Sequence, residues 1–165
     1  MISAKDINIL RSIARAGEDY DTIKRLISET GWEIDEDETT LGFLRIYIPD
    51  MVDKYYRLIV GYRDPDRPPY SLLSFYIFPG SEEQIPGFNT AFQQTAKILA
   101  GRFGPPALTG DHRLSFRTWS YMYQRWSLPE GEFTLIQDEF DIQEGLDITL
   151  WVQPVGTPIE ETAHL

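Results

Sequence analysis

The spacing of apolar and polar positions changes several times along the chain, and each change marks an element. Ser3 with Asp6 forms a helix-start signal, and Ile7, Leu10 and Ala14 follow at helical spacing up to Gly17. Asp19 or Asp21 is placed to cap a second helix, with Ile23, Leu26 and Ile27 on one side and Gly31 as its stop. The period then falls to two. Leu44, Ile46 and Ile48 alternate with Phe43, Arg45 and Tyr47, which predicts a strand over residues 41–48. Residues 55–62 repeat the pattern, with Tyr56, Leu58, Val60 and Tyr62 on one side, and the intervening PDMVDK is of hairpin length.

The next connection, RDPDRPP, is too rich in proline for a strand and reads as an exposed loop. Residues 70–78 form a third predicted strand, ended by Pro79 and Gly80. Phe88, Phe92, Ala96, Leu99 and Phe103 make an unbroken stripe, the clearest helix in the chain, which Gly104, Pro105 and Pro106 terminate. Residues 117–126 read as a long aromatic strand followed by a Leu128–Gly131 turn. Residues 133–137 and 147–152 then form a last hairpin across the acidic stretch DEFDIQEG.

The order α-α-β-β-β-α-β-β-β predicts an α+β domain: one antiparallel sheet of about six strands with helices packed on one face. Residues 1–155 are assigned to that domain and 156–165 to a loosely held tail. The two halves have similar element order but no residue-level repeat.

Composition narrows the class. A chain of 165 residues suits one domain, able to bury roughly 70% of its unfolded surface. Its 42% hydrophobic and 13% aromatic content is too rich for a disordered acidic chain. With no cysteine, thiol catalysis, thiolate zinc sites and disulfide frameworks are excluded. No apolar run approaches the roughly 20 residues of a membrane span, and the first residues lack the apolar core of a signal peptide. A soluble, cytoplasmic protein is the expectation.

The formal net charge of -11 is unevenly placed: residues 1–50 carry -5, 51–105 carry +1 and 106–165 carry -7. Such a field repels phosphate backbones and anionic lipid and attracts basic partners, although solubility alone is the commoner reason for it. Nucleic-acid and membrane partners are therefore not expected. In element order and charge the chain resembles the small secretion-chaperone and immunity-protein domains, and the resemblance implies binding and masking of a partner protein.

Catalytic chemistry has few nominees. His112 lies in TGDHRLS with Asp111 and Ser115 close in sequence, but triad members normally converge from separate elements, so a solvated loop histidine is the stronger reading. His164 is one residue from the chain end. Asp35, Asp37 and Thr39 imitate the start of a calcium loop, but Thr40 replaces its glycine and Ile46 its bidentate glutamate. Asp138, Asp141 and Glu144 sit between two strands and read as an acidic turn. No glycine-rich phosphate cradle is present. No catalytic residue, metal or cofactor is assigned.

The most unusual segment is FRTWSYMYQRW. As one regular strand it places Arg117, Trp119, Tyr121, Tyr123 and Arg125 on one face. Trp, Tyr and Arg are the residue types that dominate interface energetics, while the competing reading makes the aromatics core with the arginines reaching out at the sheet ends. Arg45, Tyr47, Tyr55 and Arg57 could extend the surface. The expectation is a non-enzymatic protein-binding module using these five residues with Asp138, Glu139 and Asp141 toward a protein partner, a basic one by charge, with homodimerisation through sheet edges or helices also open. The alternative is a small-molecule binder or carboxylate-dependent hydrolase pairing Asp138, Glu139 or Asp141 with His112. A pocket holding a carboxylate of raised pKa would favour it.

Overall fold

The computed structural model describes residues 2–48, 57–62, 70–139, 145–163 and 165. Helix α1 spans Ala4–Ala16, and its capping box is complete: Asp6 N–H donates to the Ser3 hydroxyl while the Asp6 carboxylate accepts from Ser3 N–H. Gly17, at φ +61°, ends it. Helix α2, Tyr20–Ser28, takes Asp19 as its cap, and α3 runs Ile85–Phe103 with Pro86 in its first turn. Among the described residues no helix is long and apolar enough to cross a membrane.

Among the described residues, eight strands form one antiparallel sheet, two more than the sequence pattern indicates. They are β1 (Glu33–Glu38), β2 (Phe43–Tyr47), β3 (Arg57–Tyr62), β4 (Tyr70–Phe78), β5 (Leu108–His112), β6 (Tyr121–Leu128), β7 (Gly131–Asp138) and β8 (Leu146–Gln153). The element order is thus α-α-β-β-β-β-α-β-β-β-β. The additional strands, β1 and β5, are the two edges of the sheet. Their sequences, EIDEDE and LTGDH, lack an apolar alternation, so pairing with β2 and β6 supplies the extended state that propensity does not.

The spatial order β1-β2-β3-β4-β8-β7-β6-β5 is that of two four-stranded meanders joined through their last strands. Each half therefore runs from helix, two in the first and one in the second, to four strands counted inward from an edge. The acid-rich β1 edge discourages pairing with a further strand of like charge.

The two faces of the sheet differ. Leu44, Ile46, Leu58, Val60, Leu73, Phe75, Phe133, Leu135, Ile148 and Leu150 share one core with Ile7, Leu10, Ile13, Ile23, Ile27, Phe88, Phe92 and Leu99 of the helices. Strand alternation sends Glu132, Thr134, Ile136, Thr149, Trp151 and Gln153 to the opposite face, where all are buried. There Tyr70 stacks on Trp151 with ring centroids 4.1 Å apart, and Ile136 and Ala163 complete a second cluster.

The segment 156–165 reads from sequence as a loosely held tail; its described residues, 156–163 and 165, lie against this second face. Arg125 donates to the Thr157 carbonyl, Gly156 N–H to Glu132 Oε1 (3.1 Å), Gln153 Nε2 to the Glu161 carbonyl (3.0 Å) and Thr162 Oγ1 to Gln153 Oε1 (2.7 Å). The pattern of Pro, Gly and Glu in this segment carries no trace of those partners, which come from β6, β7 and β8.

Candidate functional site

Four of the residues singled out from sequence converge where β4 and β7 end and β6 and β8 begin. The segment between β5 and β6 is a turn, not a strand: Arg117 N–H donates to the Leu114 carbonyl at 3.0 Å. Arg113 reinforces it, reaching the carbonyls of Arg117 (3.2 Å) and Thr118 (3.0 Å). The expected regular strand from Phe116 therefore begins only at Tyr121, and the alternation that would put five residues on one face does not hold.

The turn instead presents Arg117 to Glu139. Arg117 Nε donates to Glu139 Oε2 at 2.7 Å, its terminal nitrogen donates to Oε1, and the Tyr121 hydroxyl donates to Oε2. Glu139 thus accepts from three donors, and its side chain is only 2% exposed against 20% for Arg117. Burial alone would raise the Glu139 pKa, but the Arg117 and Tyr121 hydrogen bonds hold it below the ordinary carboxylate range. Burial, and next the hydrogen bond to Glu139, push the Tyr121 hydroxyl well above the ordinary tyrosine range. The Glu139 hydrogen bond likewise raises Arg117, outweighing desolvation. The trio is a fixed cation–anion pair with a neutral phenol beside it.

Aromatic rings frame the pair. The Arg117 guanidinium carbon lies 5.2 Å from the Phe116 ring centroid and 4.9 Å from that of Trp119. Trp119 meets Tyr121 edge-on at 6.5 Å, and Tyr121 meets Phe88 of α3 at 6.2 Å. Phe116, next to Arg117 in the turn, is 59% exposed.

The remaining sequence candidates fall elsewhere. Tyr123 packs with the second-face cluster, and Arg125 is buried between Glu132 (3.4 Å) and the Thr157 carbonyl, so both hold the C-terminal segment. Asp138 is fully buried opposite Asp147 and is no solvated turn, because β7 and β8 extend to this pair. Asp141 and Glu144 lie outside the described residues, as do Tyr55 and His164. Arg45 and Tyr47 are on β2, near the edge of the sheet farthest from β6, and do not extend the patch. Asp35 and Asp37 belong to β1, where Asp37 pairs with Lys24 at 2.6 Å. His112 Nε2 meets the Gln137 carbonyl at 3.1 Å, so that nitrogen carries the proton and serves no hydroxyl nucleophile. Among the described residues, no three acidic or histidine side chains are grouped to hold a metal ion.

Sequence reasoning missed a second buried carboxylate. Glu130, read only as part of a turn, accepts on Oε1 from Arg11 (2.8 Å) and Arg15 (2.8 Å) of α1. Burial opposes its ionisation, but its own backbone and the two arginines hold its pKa down. Glu130 and Glu139 are both kept ionised, so neither supplies the raised-pKa acid that the hydrolase alternative requires. No signal along the chain links Glu130 to residues more than a hundred positions earlier. Compared with protein families, with curated proteins and with solved structures, the chain has no match.

Proposed function

We propose that this chain is a non-enzymatic protein-binding module that masks a partner, with Phe116, Arg117 and Trp119 at the centre of the contact. The observation that carries the reading is an arginine lying between an exposed phenylalanine and a tryptophan, with its charge already met by buried Glu139. Aromatic and arginine side chains contribute disproportionately to interfaces, and a guanidinium fixed before binding loses little freedom on contact. The net charge of -11 supports a basic partner. Tyr121 and Glu139 then serve as supports behind the contact, and Tyr123 and Arg125 play no part in it.

The test is a pull-down with tagged protein at low and moderate salt, repeated with Phe116→Ala and Trp119→Ala. A partner retained by the parent chain and lost from both variants, with unfolding cooperativity intact, is the expected result. Equal retention by the variants, or no partner at all, would overturn the reading. Glu33→Lys with Asp35→Lys, exposed positions on β1, tests the charge component: affinity should fall at low salt only.

A further inference from the structure

A cavity of about 310 Å³ lies at the other end of the sheet, between the last turn of α1 and the strand ends of both halves. Glu130, the residue that anchors α1, lines it together with Ala14 and Gly17 at the end of that helix. The Glu130 carboxylate is served on one side only. Arg11 Nε (3.2 Å), the Arg11 terminal nitrogen (2.8 Å) and that of Arg15 (2.8 Å) all donate to Oε1. Oε2 is buried and accepts from no described residue, in a side chain only 6% exposed. A carboxylate oxygen can accept two hydrogen bonds, and one buried without a donor carries its full desolvation penalty. The two guanidiniums do not remove that penalty, because both lie against the other oxygen and both keep contact with water. A donor brought into the cavity would.

The rest of the wall has the same sign. Exposed Glu18 adds a second carboxylate to the lining. The last turn of α1 brings the negative end of its peptide dipoles to the same place. Among the described residues, no Lys, Arg or His lines the cavity. Val152 and Val155 supply apolar surface beside these groups. The buried oxygen calls for a hydrogen-bond donor, and its surroundings favour one that carries positive charge.

We infer that this cavity is a binding site for a small primary ammonium ion on a short apolar body, its N–H donors directed at Glu130 Oε2. The volume is at the lower bound of small-molecule sites and suits a body of a single ring. The site is independent of the protein-binding reading, since the Phe116–Trp119 patch lies at the opposite end of β7. Amide chemical shifts of the full chain test it, titrated with phenethylammonium and, for comparison, with neutral 2-phenylethanol and anionic 3-phenylpropionate. The ammonium should move the amides of Gly17, Gly61 and Ser71 saturably, with a Kd on the order of 1 mM for so few atoms. The two comparators should bind roughly tenfold more weakly, the effect of one hydrogen bond to a charged group. Glu130→Gln keeps the size of the side chain and should remove the preference for the ammonium. Ala14→Phe, which fills the space, should abolish the saturable shifts. Val155→Trp, at an exposed wall position, reads the same loss if that variant fails to fold. Absence of saturable shifts at these amides, or shifts unchanged by both filling variants, would overturn the site. A comparator bound as tightly as the ammonium, or a preference that survives Glu130→Gln, would overturn its ligand class.

Discussion

Strand β7 connects two buried glutamates, Glu130 before its start and Glu139 after its end, about 30 Å apart by the rise of an extended strand. Both are ionised and both face arginine, yet they are built differently. Glu139 takes its partners from within 22 residues, and its two oxygens share three donors. Glu130 takes Arg11 and Arg15 from 119 and 115 residues away, all on Oε1. The arginines also differ in exposure, since Arg15 is 67% exposed and Arg117 only 20%. The first arrangement shapes a surface turn within one half, whereas the second ties the opening helix to the other half. What separates them energetically is the fate of the partners when the glutamate is lost, because a hydrated arginine tolerates that loss and a buried phenol does not.

The largest effect should follow Glu139→Ala, which leaves the Tyr121 hydroxyl and the Arg117 guanidinium without their acceptor. A loss of about 3 kcal/mol is expected in urea unfolding, with Glu139→Gln retaining part of it. Next, Tyr121→Phe should cost about 2 kcal/mol, as a hydrogen bond to a charged group is removed while the ring is kept. Folding raises this hydroxyl's pKa, so its contribution is complete below about pH 10 and lost as pH climbs above that. The phenylalanine variant should therefore lose less stability in alkali than the parent.

Glu130→Ala should cost only about 1 kcal/mol, since both arginines can return to water. A loss equal to that of Glu139→Ala would break the comparison. Acid sharpens it further. Both carboxylates have folded pKa values below their unfolded ones, so their stabilisation is complete above about pH 5 and lost as pH falls below roughly 4.3. Glu139→Gln should flatten that acid loss more than Glu130→Gln, as followed by urea midpoints from pH 6 to pH 3. The smallest change is expected from Arg15→Ala, at most about 0.5 kcal/mol and smaller still in high salt, because this guanidinium is mostly solvated.

Particular elements explain how far the chain could be read in one dimension. The Ser3–Asp6 box, the Phe88–Leu99 stripe and the β7–β8 hairpin were legible because each is made of residues a few positions apart. The Phe116–Trp126 segment misled because its turn contains neither Gly nor Pro, and Arg113 holds it through backbone carbonyls instead. The candidate site was half legible. Arg117, Trp119, Tyr121 and Glu139 stand out by residue type, but the same criterion also picks Tyr123 and Arg125, which face the C-terminal segment.

By itself the sequence determined an α+β chain with three helices, the Ser3 cap and the Gly17 and Gly104 stops, most of the strands and an acidic surface, whereas α2 ends at Ser28, before the expected Gly31. These follow from local spacing, backbone preference and charge, all of which act over a few residues. Only the tertiary structure decided that EIDEDE and LTGDH are edge strands and that Glu130 anchors α1. It also decided that the C-terminal segment covers the second face and that Arg117 and Tyr121 meet Glu139 while Arg125 does not. Each of those outcomes depends on a partner brought from another element, and periodicity along the chain carries no record of which distant group will satisfy a buried charge or an open strand edge.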